Sequence, residues 1–213
     1  MKSSDSVLYC DNHLLVANKA AGTLTQPDGS PNPDLETEMK AWVKAEYQKP
    51  GAVFLHAIHR LDRPVSGLVL FARTSKALSR LNEEVRNGAI ERIYVAEVEG
   101  TIAKEEGDLE HYLRHGSHSA IVSNKSDPEA KWASLHYWIE NRRERTTCVR
   151  IKLKTGRYHQ IRAQFSAIGN PVVGDQRYGA KGDGKAIHLH SARLALTHPV
   201  TGEALAWELS PPF

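Results

Sequence analysis

Apolar positions along the chain change period several times, and each change marks an element. Two short apolar runs, residues 7–9 and 14–17, flank Asp11-Asn12, turn chemistry that predicts a hairpin. Residues 22–34 are rich in Gly, Pro, Asp, Thr and Ser, which predicts a long loop ahead of a helix-like stretch over residues 35–47. An apolar strand follows at residues 68–71. Beyond it, Leu78, Leu81 and Val85 recur on one helical face, with Ser75 placed to cap the start and Asn87-Gly88 to stop the helix. Alternation returns at Tyr94, Ala96, Val98, then at Ala133, Leu135, Tyr137, Ile139. It is cleanest at Val149, Ile151, Leu153, with Arg150, Lys152 and Lys154 on the opposite side. Ile161, Phe165 and Ile168 fall at helical spacing before Gly169, predicting a short helix over residues 159–168 with Arg162 off its most apolar line. Two last strands, 187–196 and 205–208, are joined by the turn residues His198 to Gly202.

Strands scattered among a few helices, rather than alternating strictly with them, predict an α+β fold. Its expected core is a mixed, mainly antiparallel central sheet flanked by helices and loops. At 213 residues, with 40% hydrophobic and 25% charged side chains, the chain falls in the ordinary globular range, which excludes disordered and collagen-like classes. No apolar run approaches the ~18 residues that a membrane-spanning helix needs. The first residues, with Asp5 and Asp11, lack the basic start and apolar run of a signal peptide, so a cytoplasmic protein is expected. Cys10 and Cys148 are the only cysteines and have no CxxC spacing, consistent with a reducing compartment and with no disulfide framework or structural zinc site.

Net charge is only +3, but it is unevenly spread. Residues 141–193 carry 12 Lys and Arg against Glu144, Asp175 and Asp183, a balance of +9 that leaves −6 for the remainder. Such asymmetry suggests one face made for a polyanion, the alternative being a solvated basic surface. Gly179-Ala-Lys-Gly-Asp-Gly184-Lys185-Ala186 approaches a phosphate-binding loop. It fails where Ala186 replaces the magnesium-binding hydroxyl, and no buried strand precedes it. The histidine groups His56 and His59, then His111, His115 and His118, then His188 and His190 have some metal-compatible spacings, but no carboxylate or cysteine completes a convincing set.

Two strings carry more. His59-Arg60-Leu61-Asp62-Arg63-Pro64-Val65-Ser66-Gly67-Leu68 places a carboxylate between two arginines just ahead of an apolar strand; the flanking positive charge favours its ionised form and attracts phosphate. By composition alone the same string describes a salt-bridged turn. Thr155-Gly156-Arg157-Tyr158-His159-Gln160-Ile161-Arg162 then packs two arginines, a histidine and a glutamine into a turn entering a helix, a polar density that a core helix does not need.

With these strings the sequence resembles the RluA family of pseudouridine synthases. Lys19-Ala-Ala-Gly22 is similar to its first motif, residues 59–74 to its catalytic motif, and Arg92-Ile-Tyr94-Val-Ala-Glu-Val-Glu-Gly100 to its tyrosine strand. TGRYHQIR, GNPVVGDQRYG and Leu189-His190-Ser-Ala-Arg193-Leu194 follow in the family's order. Ala20, Val65 and Tyr158 depart from it, standing where proline, threonine and threonine are common. The resemblance implies a single pseudouridine synthase catalytic domain over residues 1–213, a compact form without the N-terminal RNA-binding domain of larger relatives.

The implied reaction breaks the C1′–N1 bond of a uridine in RNA, rotates the uracil and joins C5 to C1′, without metal or organic cofactor. By resemblance Asp62 is the catalytic carboxylate, stabilising charge at C1′, attacking it, or taking a sugar proton. Arg162 is its implied ion-pair partner. Tyr94 is implied to pack on the uracil and to help remove the C5 proton, although without the resemblance simple core packing is the favoured reading. The target is expected to be flipped out, with Arg60 in the vacated space and Arg63, Arg157, His159 and Gln160 at the RNA. Arg150, Lys152 and Lys154, with Arg142, Arg143 and Arg145, are candidate phosphate contacts. Loops 23–34 and 114–129 are expected to be polar and to set specificity. The partner expected is 23S-type ribosomal RNA and/or tRNA, not DNA or membrane, and the chain is expected to be a monomer. The alternatives are a non-catalytic RNA-binding or chaperone protein on the same fold and an N-glycosylase that releases uracil.

Overall fold

The computed structural model describes residues 6–181 and 186–213. In chain order its elements are β1 (Val7–Cys10), β2 (Leu14–Lys19), α1 (Leu35–Glu46), β3 (His56–Ala57), β4 (Ser66–Ala72), α2 (Ser75–Arg86) and β5 (Glu91–Glu99). They continue as β6 (Glu106–His115), β7 (Ala120–Ser123), β8 (Lys131–Arg142), β9 (Thr146–Leu153), α3 (Gln160–Ala167), a 3-10 turn (Gln176–Tyr178), β10 (Leu189–Thr197) and β11 (Ala204–Glu208). The chain folds as two compact units, one running to Glu91 and completed by Ser191–Ser210, the other spanning Arg92–His190 with Pro211–Phe213. The predicted α+β class holds, with antiparallel strand pairs in each unit.

In the first unit β2 pairs antiparallel with β1 on one side and β4 on the other, in register from Leu14 opposite Ala72 to Lys19 opposite Gly67. The predicted hairpin is closed by Asp11, whose carboxylate accepts from the backbone N–H groups of His13 and Leu14, both at 2.7 Å. All seven residues of β4 are buried. Leu14, Val16, Leu68 and Leu70 pack with Ala77 and Leu81 of α2 and with Leu194 and Leu196 of β10 into one apolar cluster. The helical spacing therefore read the correct face of α2. Its cap lies one residue earlier than expected: Thr74, in extended conformation, accepts from the N–H of Ala77 at 3.1 Å, and Ser75 opens the helix.

In the second unit β5, β9, β8, β6 and β7 pair in that order, all antiparallel, with a bulge in β8 between Ile139 and Asn141. Two expectations are corrected. Most of 114–129, read as a polar loop, forms the end of β6, a tight connection and β7. They bury Leu109, Leu113 and Ala120 and leave the rest, Ile121 and Val122 included, at least partly exposed, too weak a signal to see by composition. β5, read as one-sided, is buried on both faces from Ile93 to Val98, including the polar Glu97. In α3, Ile161 and Phe165 point inward as predicted, whereas Ile168 caps the helix and is exposed. The buried face also takes Gln160, Arg162 and Gln164, each tied by hydrogen bonds.

Candidate active site

Asp62 lies in a turn closed by a 3.0 Å bond from Val65 N–H to its own carbonyl, immediately before β4. The segment after β2 grips the main chain on either side of it. Thr25, buried in the loop expected to be polar and specificity-setting, accepts from Leu61 N–H at 3.0 Å and donates to Leu61 C=O at 2.9 Å. On the other side, Arg63 C=O accepts from Gly22 N–H at 2.7 Å, and Arg63 Nε donates to Gly22 C=O at 2.9 Å. Gly67 makes the following step possible. Its φ of +113° suits glycine, and a Cβ there would sit 2.3 Å from the carbonyl oxygen of Ser191. Asp62 is half-buried, and Arg60 and Arg63 are exposed.

A residue to which the sequence assigned no role completes this turn. Lys19, at the end of β2, is fully buried, and its Nζ donates to the carbonyls of Thr23 (2.7 Å), Ala20 (3.1 Å) and Arg63 (3.2 Å). Burial lowers its pKa to about 8, opposed by the attraction of the Asp62 carboxylate. Its signal in the sequence is a lysine ending a mostly apolar strand.

The second unit carries the other expected residues. Tyr94 is buried in β5, opposite Ile151 of β9. Arg162, on α3, makes a two-pronged ion pair that sequence reading did not foresee: Nε to Asp175 Oδ2 at 2.6 Å and Nη2 to Oδ1 at 2.9 Å, both side chains almost fully buried. Asp175 belongs to the GNPVVGDQRYG string, so the two motifs are joined by this pair. Arg157 is exposed, with Nε bonded to the Trp132 carbonyl at 3.0 Å.

Gln160 is buried, its Oε1 accepting from Thr155 Oγ1 (2.7 Å) and Arg157 N–H (2.9 Å), and its Nε2 donating to Ser134 C=O (3.0 Å). Both ends of the amide are committed within the unit, where they hold the turn entering α3. His159 is also buried and takes the left-handed backbone, φ +49°, uncommon for a residue with a side chain. Its Nδ1 lies 3.0 Å from Tyr178 Oη. Burial, aided by Arg162 and Arg177, lowers its pKa to about 3, so the ring is neutral and shares this hydrogen bond with the tyrosine hydroxyl without a charge.

The basic strand face is not a bare cationic strip. Arg150 pairs with Glu140 at 2.6 Å, Lys154 with Asp108 at 2.8 Å, Arg142 with Glu105 at 2.7 Å and Arg143 with the buried Glu97 at 2.7 Å. Of these carboxylates Glu97 comes from β5, Asp108 from β6, Glu140 from β8 and Glu105 from the residue just before β6, and together they offset an excess that looked unbalanced in sequence. Among the described residues no group of three or more His, Cys, Asp or Glu side chains is arranged to hold a metal ion. The string resembling a phosphate-binding loop has residues 182–185 outside the described residues.

The family described as RNA pseudouridylate synthase matches residues 13–167. The RNA pseudouridine synthase YhcT of Bacillus subtilis is 32% identical over 210 residues, 95% of this chain and 67% of that protein. Ribosomal large subunit pseudouridine synthase C of Escherichia coli K12 is 32% identical over 220 residues, 96% of this chain and 66% of that protein. The chain thus spans about two thirds of the length of these relatives. Among solved structures, human RNA Pseudouridylate Synthase Domain Containing 4 superposes with a TM-score of 0.82 at 19% identity, covering 98% of this chain and 89% of that one, a likeness of fold. No described helix is long and apolar enough to cross a membrane. The family match extends over the turn of Asp62, the strand of Tyr94 and the helix of Arg162, and with it the chain belongs to the RNA pseudouridylate synthase family.

Proposed function

We propose that this protein isomerises specific uridines of structured RNA to pseudouridine, with both units acting as one catalytic domain and Asp62 as the catalytic carboxylate. The observation that carries the reading is the Asp62 turn. Its flanking peptide groups are held by Thr25, Gly22 and Lys19, so the carboxylate is presented from a fixed main chain, the condition for a side chain that must meet C1′. In the reaction the C1′–N1 bond breaks, uracil turns, and C5 bonds to C1′. The C5 proton leaves and N1 gains one, so the mass of the RNA is unchanged. Asp62 acts on the electron-poor C1′ as nucleophile, as stabilising charge or as base toward the sugar. Tyr94 packs on the base and assists loss of the C5 proton, and Arg162 supplies a fixed positive charge held by Asp175. Arg60, Arg63 and Arg157 meet the RNA, whose target uridine is flipped from its stack. The substrate class is large-subunit ribosomal RNA, as the name of the Escherichia coli relative suggests, and/or tRNA.

Carbodiimide mapping of ribosomal and transfer RNA from cells lacking the protein tests this. One or a few pseudouridines are expected to disappear and to return with the wild-type chain but not with Asp62→Ala. Sites that all persist, or that Asp62→Ala restores, overturn the catalytic role and leave an RNA-binding protein. Release of free uracil would indicate a glycosylase.

A further inference from the structure

The second unit contains a cleft of about 320 Å³ that the proposed chemistry does not use. It lies between the β6–β7 hairpin and the turn entering α3, and its floor includes Leu113 and Ala120. A column of three rings runs beside it. Tyr158 stacks on His159 at 3.8 Å between centroids and 20° between planes, and on His115 at 4.2 Å and 21°. Two imidazoles cannot share one face of Tyr158 at those distances, so they lie on opposite faces. The column therefore begins at the buried His159 and ends at the exposed His115, whose outer face continues the stacking direction.

The rim is basic: Arg114, Lys131 and Arg157 line the cleft, against Glu129 alone among its lining carboxylates. Arg114 has a loose 3.5 Å contact to Asp127. Arg157 is aimed by its bond to the Trp132 carbonyl and is exposed. The neighbouring strand face has its basic groups matched by carboxylates at 2.6–2.8 Å, so this rim is where the unit keeps cationic groups beside an aromatic surface. An exposed ring face with cations around it is the arrangement that holds single-stranded nucleic acid, a base on the ring and phosphates on the cations. A purely acidic partner would use the cations but has no use for an ordered three-ring column.

We propose that the His115–Tyr158–His159 column and the cleft beside it bind an unpaired nucleotide of the RNA other than the target uridine. Its base stacks on His115, and its flanking phosphates lie against Arg114, Lys131 and Arg157. The inference rests on the reading of the protein as an RNA-modifying enzyme and names a contact that would help choose the RNA.

The test uses the full chain and a short single-stranded oligouridylate with a central 2-aminopurine, beside the same oligomer with an abasic central position. The aminopurine oligomer is expected to be quenched on binding and to bind roughly 5- to 150-fold more tightly than the abasic one. His115→Ala should remove the quench and that preference while leaving the salt dependence of binding, and His115→Trp should restore both. Arg157→Ala with Lys131→Ala should flatten the salt dependence and keep the quench. Equal binding of the abasic oligomer, a quench that survives His115→Ala, or displacement by oligoglutamate as effective as by unlabelled RNA overturns the proposal. Pseudouridine formation, assayed on the same preparation with ribosomal RNA and tRNA from cells lacking the protein, separates the two claims. Isomerisation without stacking overturns the nucleotide site alone. Stacking without isomerisation supports the site and overturns the catalytic reading.

Discussion

The turn around Asp62 and the turn leading into α3 both present charged residues expected to act on RNA, but they are stiffened differently. In the first, the restraint falls on the neighbours. Leu61 and Arg63 have their peptide groups bonded to Thr25, Gly22 and Lys19, and the Asp62 side chain is positioned through the main chain that carries it. In the second, the restraint falls on the side chains themselves. Gln160 is bonded at both ends of its amide, His159 at Nδ1 and Arg162 along two prongs to Asp175. A group that must change its bonding during a reaction is served by a rigid backbone, whereas a group that supplies a constant field is served by a permanent partner.

The largest expected effect that tests this contrast is at Asp175. Asp175→Ala leaves the Arg162 guanidinium buried without its carboxylate and should cost about 3–5 kcal/mol, read from urea unfolding. A loss below about 1 kcal/mol would mean that the charge of Arg162 does not depend on that partner.

Lys19 comes next. Its pKa is about 8 in the folded chain against 10.5 as a free side chain, so between those values the unfolded state binds more protons and stability must rise with pH. The gain approaches about 3 kcal/mol by pH 10.5, and Lys19→Met should remove it. Parallel stability–pH curves for the two proteins would show that this lysine is not held against its charge.

Thr25→Val keeps the shape but takes the hydroxyl from both backbone groups of Leu61. It should cost about 1–3 kcal/mol and lower pseudouridine formation more than it lowers stability, since it loosens the turn next to Asp62. The smallest effect concerns capping. Thr74→Ala should destabilise by about 1 kcal/mol, and Ser75→Ala hardly at all.

Legibility followed how much of each feature is local. The β1–β2 hairpin, β4, the apolar faces of α2 and α3, and β8 and β9 were readable because burial imposes a period on adjacent residues. The hairpin of β6 and β7 was not, since an outer pair of strands that buries only Leu109, Leu113 and Ala120 imposes little period on its sequence. Asp62 stood out because two arginines flank it in sequence. Thr25 and Lys19 did not, because their partners at Leu61 and Arg63 lie 36 and 44 residues away and polar-to-backbone bonds leave no pattern. Arg162 could be singled out while Asp175 could not, for a buried ion pair is announced only by the residue whose charge looks out of place. The carboxylates beside Arg150 and Lys154 were not readable for the same reason: they come from other strands.

The close approach of Gly67 to Ser191 has a consequence for synthesis. The first unit needs β10 and β11, which follow the main stretch of the second unit in the chain, whereas the second unit is almost entirely one continuous stretch from Arg92 to His190. On the ribosome the N-terminal segment, Asp62 turn included, therefore waits through the translation of the whole second unit before the strand that lies against Gly67 exists. The unit begun second can be largely made before the first is complete, and the Asp62 turn gains its full surroundings only when the β10–β11 hairpin has left the exit tunnel.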